Sequence, residues 1–177
     1  MARKIREVEP EKNRSYERRY ENEVLLSAEA SDVFAFVVDH TRLSSHMSKS
    51  TWRMGGGHME TSVDSGLGQK VGSHIQMRGK VLGIALSLDE VVTDYEPPRV
   101  KIWETVGQPK LLVIGHYRMK IEVNPKGIYS LLHILIEYNV PRNQAWLGKL
   151  FGGYYAKWCV TQMMRSTSDY FKESSKH

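Results

Sequence analysis

The chain changes its hydrophobic period once, and that change limits what it can fold into. From His58 to Val140 the apolar residues fall in short, mostly alternating runs cut by Gly, Pro, Asn and Ser. That is the pattern of strands joined by tight turns. After Pro141 the alternation stops. Leu147, Leu150, Phe151, Tyr154, Trp158 and Met163 recur at three- and four-residue steps, while Lys149, Lys157, Arg165, Asp169 and Lys172 fall on another side. The spacing predicts one helix from Asn143 or a neighbour to about Lys172, amphipathic and in need of an apolar partner. Only a sheet is large enough to be that partner. Successive strands with short turns pair antiparallel, so the expected class is α+β, a curved antiparallel sheet of about seven strands around a long C-terminal helix.

Upstream, Tyr16, Tyr20, Val24 and Leu26 stand at even-numbered spacings among charges and predict a first strand ending at Leu26. Ser27 reads as the N-cap of a short helix, with Glu29 in its first turn and Val33, Phe34, Phe36, Val37 and Val38 on its apolar side. Asp39 to Met47 reads as a second short helix or turn, with Leu43 and Met47 at helical spacing. After Gly55-Gly56-Gly57, strands are predicted over His58–Asp64, Val71–Val81, Leu86–Tyr95, Val100–Val106, Leu111–Val123 and Ile128–Val140. Met1 to Asn13 is polar and aperiodic. Residues 1–13 therefore read as a charged, mobile arm and 14–177 as one domain.

The last hairpin shows how register sorts the side chains. A two-residue loop at Pro125-Lys126 would pair Asn124 with Gly127, Tyr117 with Ile134 and Met119 with Leu132. One face then holds Tyr117, Met119, Ile121, Leu132, Ile134, Ile136 and Tyr138. The other holds His116, Arg118, Lys120, Glu122, His133 and Glu137. A three-residue loop with Gly127 bulged is also sound turn chemistry, but it mixes the two sets. Because a one-residue slip flips every side chain, the clean partition is expected, with its apolar face toward the long helix.

This order of elements resembles the SRPBCC superfamily of helix-grip proteins, which includes START-like lipid-transfer domains and bacterial polyketide cyclase/dehydrase-like proteins. Ser27-Ala28-Glu29-Ala30-Ser31-Asp32-Val33-Phe34 resembles the family's entry into its first helix. Asp94-Tyr95-Glu96-Pro97-Pro98-Arg99 resembles its turn between central strands, and Gly115-His116-Tyr117-Arg118-Met119 its penultimate strand. The likeness spans roughly Tyr20 to Phe171. Many members carry a tryptophan near the end of the second short helix, where this chain has Met47 and reaches Trp52 later. The resemblance implies an internal cavity for a hydrophobic ligand. It implies no reaction, since the superfamily shares no catalytic motif.

Several chemistries find no support in the pattern. The seven histidines form no HExxH or paired Cys/His spacing, so no metal site is expected. Cys159 is the single cysteine and sits beside Trp158 in the last helix, which suits a buried inert thiol in a reducing compartment. The triple glycine lacks the Lys-Ser/Thr of a phosphate loop, there is no GxSxG elbow, and no cofactor motif occurs. A charged start without an apolar stretch argues against a signal peptide. No uncharged run reaches the roughly 18 apolar residues of a spanning helix. The expected location is cytoplasmic. The net charge of +5 and pI of about 9.3 are spread along the chain. They read as a solvated basic surface rather than a specific nucleic-acid footprint, and leave room for peripheral membrane contact.

The cavity is expected to be lined by Ile102 and Glu104, by Tyr117, Met119, Ile134, Ile136 and Tyr138, and by Phe151, Tyr154 and Trp158. Glu104 is the one catalytic candidate. Val100, Ile102 and Glu104 share a face, and if it is inward the carboxylate sits in an apolar enclosure, with a raised pKa suited to acid–base work. The alternative is that Glu104 pairs with Lys101 or Lys110, or faces solvent while Trp103 faces in. Binding or transport of a small hydrophobic ligand, such as a lipid, isoprenoid or polyketide-like ring, is the leading function. A cyclase or dehydratase acting on such a ligand, and an interaction module without one, are the competitors. An inward acid paired with a tyrosine favours the enzyme, an all-apolar sealed cavity the carrier, and a filled core with an exposed apolar patch the interaction module.

Overall fold

A computed structural model describes residues 14–39, 58–81 and 83–174. The strands are β1 (Arg18–Leu26), β2 (His58–Val63), β3 (His74–Val81), β4 (Ile84–Glu96), β5 (Val100–Lys110), β6 (Tyr117–Lys126) and β7 (Tyr129–Tyr138). Helix α1 (Ala30–Val37) follows β1, and the long helix α2 (Ala145–Ser174) follows a 3-10 turn at Arg142–Gln144. The strands form one seven-stranded sheet in the order β1-β7-β6-β5-β4-β3-β2. Every neighbouring pair is antiparallel. This is the expected helix grip. The arm of residues 1–13, the second short helix, the triple glycine, Met47 and Trp52 lie outside the described residues.

The β6–β7 hairpin keeps the expected faces with a different register. Tyr117 pairs with Tyr138, Met119 with Ile136 and Ile121 with Ile134, so the loop is Gly127-Ile128 rather than Pro125-Lys126. Gly127 has φ 67°, the left-handed value that a glycine-first hairpin turn uses. The shift is an even number of residues, so no side chain changes sides. Tyr117, Met119, Ile121, Val123, Leu132, Ile134, Ile136 and Tyr138 are all buried on the inner face. Val33, Phe34 and Val37 of α1 join them in one core. Burying each such side chain stabilises the fold by about 1.5–3 kcal/mol.

Other boundaries differ for identifiable reasons. Helix α1 takes Glu29, not Ser27, as its N-cap residue and closes through its backbone: Asp32 N and Val33 N both donate to Glu29 O. Strand β3 begins at His74 because the Asp64 carboxylate gathers the preceding loop, accepting from Gly66 N, Ser73 Oγ and His74 N. Strand β5 runs through Gly107-Gln108-Pro109. Ser87 pairs with Lys110 and Asp89 with Val106, and Gly107 at φ 65° absorbs the extra residues as a bulge. Residues 111–116 leave the sheet, and Val113 O runs close beneath the first turns of α2.

The face of α2 is the main correction. Phe151 and Tyr154 are exposed and do not contact the concave face, and Trp158 is only half-buried. The buried stripe is Gly148, Gly152, Ala156, Val160, Met164 and Thr167. A Cβ on Gly148 would strike Pro141 and Val140, and one on Gly152 would lie 3.0 Å from Val113 O. In the first half of the helix small residues let the backbone approach Val113, Val140 and Tyr138 while Trp146, Leu150, Phe151 and Tyr154 are turned outward, and further along Val160 and Met164 fill the core.

Candidate functional site

The register of β4 and β5 decides which polar groups point inward. Trp103 pairs with Met119 and Lys101 with Ile121, both on the inner face. Val100, Ile102 and Glu104 therefore lie on the convex face, and Ile102 and Glu104 do not face the long helix. Glu104 is buried all the same. It accepts from Tyr16 OH at 3.3 Å and from Arg118 Nε at 3.5 Å, while Lys101 lies on the opposite face. Arg118 also lies 5.4 Å from the centroid of the Tyr16 ring. The strap at residues 14–17 covers Glu104 in this way, so Trp103 rather than the carboxylate faces in.

The inward acid is Glu90. It pairs with Thr105 on β5 and Ile75 on β3, and only 1 % of it is exposed. Its Oε1 accepts from Trp103 Nε1 at 3.0 Å and from Tyr117 OH in a short contact. Its Oε2 is buried and has no hydrogen-bond partner among the described residues. Few buried polar atoms in native proteins lack a partner, so this oxygen is the acceptor of the core that the described side chains leave to a donor. Burial pushes the carboxyl up to about 7, partly offset by the bonds from Tyr117 and Trp103 and by the charge of Lys101.

Lys101 lies fully buried on the same face. Its Nζ donates to Val38 O at the C-terminal end of α1 (3.3 Å) and sits 5.3 Å from the Trp103 ring centroid. A cation suits the negative end of a helix, which gives the lysine a structural role inside the core. Burial pulls its pKa down to about 7 against the opposing charges of Glu90 and Asp39. From the helix side come Tyr155 and Cys159, one turn apart and joined through their side chains. Their polar ends are enclosed while their flanks keep some exposure. Burial raises the Cys159 thiol to about 12, so it is not a thiolate nucleophile.

Of the expected lining residues, Tyr117 touches Glu90 directly. Met119, Ile134, Ile136 and Tyr138 form the apolar floor beside it. Trp158 lies beside Tyr155, with ring centroids 5.9 Å apart. Glu90 was missed, although its position carried a signal. Leu86, Leu88, Glu90 and Val92 alternate along β4, so an acid occupies an apolar position. His116 and His133 do not meet. The first contacts Arg14 and the second Glu21. Among the described residues no three metal-ligating side chains cluster.

The family described as polyketide cyclase / dehydrase and lipid transport matches residues 17–172. No curated protein matches the chain by sequence. Among solved structures, norcoclaurine synthase from Thalictrum flavum, in complex with dopamine and hydroxybenzaldehyde, is similar. It has 16% identity and a TM-score of 0.61, over 88% of this chain and 87% of that one. A Thermus thermophilus protein has 12% identity and a TM-score of 0.62, over 89% of this chain and 99% of that one. At these identities the likeness speaks for the fold.

Proposed function

This chain belongs to the polyketide cyclase / dehydrase and lipid transport family, and from that premise we propose that it binds a small hydrophobic molecule between the concave sheet and α2 and moves a proton on it through Glu90. The family supports hydrophobic ligand binding at its own level. The lipid, isoprenoid or polyketide-like nature of the ligand, and a cytoplasmic setting consistent with the lone Cys159, belong to this reading. The observation that supports the chemical step is the Glu90 carboxylate, with one oxygen held by Tyr117 and Trp103 and the other without a partner among the described residues. Such a group is positioned rigidly, and its pKa of about 7 lets it take and return a proton near neutral pH.

In a dehydration, the Glu90 carboxylate would take the proton α to a carbonyl. The resulting acid would return it to the β-hydroxyl, which leaves as water, and a conjugated enone remains. A long-chain β-hydroxy ketone is the probe, followed by the ultraviolet absorbance of the enone. Glu90→Gln should lower turnover by at least about 100-fold while saturable binding persists. The carrier reading is favoured by the apolar floor of Met119, Ile134 and Ile136. It predicts no turnover by the wild type and weaker binding by Glu90→Gln. Turnover and binding both untouched by the substitution would remove Glu90 from the site.

A further inference from the structure

The first half of α2 faces outward with side chains that a surface helix does not need. Trp146, Leu150 and Tyr154 stand at four-residue steps and are 67%, 66% and 68% exposed, with Phe151 beside them at 45%. Four large apolar residues on one short stretch make a contiguous patch, which water-facing surfaces seldom keep without a partner. Basic residues adjoin it. Arg142, Lys149 and Lys157 lie on the same stretch and are exposed, and no Asp or Glu occurs from Arg142 to Ser168. We infer that this face docks the protein on an anionic lipid surface.

Charge and shape choose this occupant over others. A second copy would set two basic faces against each other, which opposes self-association through the patch. The face is a ridge of one helix rather than a groove, so it suits the plane of a bilayer interface better than an inserted peptide. Tryptophan and tyrosine favour the headgroup layer, where an aromatic body and a polar tip are both satisfied. Leu150 and Phe151 supply the apolar burial and the lysines the attraction to anionic headgroups, the two contributions that hold an interfacial helix. The inference stands apart from the interior site, because none of these residues touches Glu90.

The test is co-sedimentation with vesicles of phosphatidylcholine alone and of equimolar phosphatidylcholine and phosphatidylglycerol. The full chain should bind the mixed vesicles at least about tenfold more tightly than the neutral ones, and salt should weaken that binding. Leu150→Glu, and separately the pair Lys149→Glu and Lys157→Glu, should each weaken it by about tenfold or more with the melting curve unchanged. Brominated phosphatidylcholine should quench fluorescence, and Trp146→Phe should remove that part of the quenching. Absence of binding to the mixed vesicles overturns the inference, as does wild-type binding by Leu150→Glu. A dimer that Leu150→Glu splits, without vesicle binding, would assign the face to a second copy.

Discussion

At the residue scale, two buried glutamates on opposite faces of one sheet have opposite roles. Glu90 ionises near an ordinary 4.5 in the unfolded chain and near 7 in the folded one. Between those values the folded state holds a proton that the unfolded state has released, so stability is greatest below the lower value and falls as pH rises through the upper one. Lys101 acts in the reverse sense above neutrality. With its folded pKa lowered to about 7, it adds stability as the pH climbs toward 10.5. Denaturant melts across pH should show Glu90→Gln losing the fall between the two carboxyl values, a difference of at most about 3 kcal/mol from the wild type. Identical pH profiles would mean the carboxyl titrates normally. Glu104→Gln removes the acceptor of Tyr16 and Arg118. It should cost about 1–3 kcal/mol, read from urea midpoints, and leave ligand binding alone.

At the element scale, the first half of α2 packs through its smallest side chains. Gly152→Val puts atoms against Val113 O and the Tyr138 ring and should lower stability by about 1–3 kcal/mol. Tyr154→Ala, on the opposite side, should stay within about 0.5 kcal/mol. Half-buried Trp158→Ala should cost less than the about 3–5 kcal/mol of a fully buried tryptophan. Equal midpoints for the Gly152 and Tyr154 variants would contradict this packing. The sequence made the strands, their antiparallel order and the long helix legible, because a period of two and a period of 3.6 are hard to confuse. It also sorted Met119, Ile134, Ile136 and Tyr138 correctly, since an even register shift keeps the faces. The helix face was misread because apolarity was taken to mean burial, when Gly148, Gly152 and Ala156 are buried for lack of bulk. The inward face of β5 was misread for a related reason. Val100 and Ile102 look like core, but Trp103 takes the inner side and brings Lys101 with it, which the carbonyl of Val38 makes tolerable.

At the scale of the whole molecule, the interior site and the outward patch lie on different sides of the same helix, so changes to one should leave the other's assay untouched. Leu150→Glu should keep wild-type ligand affinity, and Glu90→Gln should keep wild-type vesicle binding. Loss of both functions in either variant would show that they share a surface. The pairing of β1 with β7 has a consequence in time. Arg18 lies opposite Tyr138 and Leu26 opposite Ser130, so the first of the described strands pairs with the last. Until β7 emerges, β1 waits as an unmatched edge through the synthesis of five other strands. Contacts this distant in sequence form late, because the intervening loop must close first. Tyr20→Ala on β1 should therefore hasten unfolding and leave the refolding rate nearly unchanged in stopped-flow chevrons. A slowed refolding limb would instead place β1 in the folding nucleus. On this order of events the sheet is whole only when β7 joins β6 to β1, and α2, which follows it in the chain, covers the concave face last.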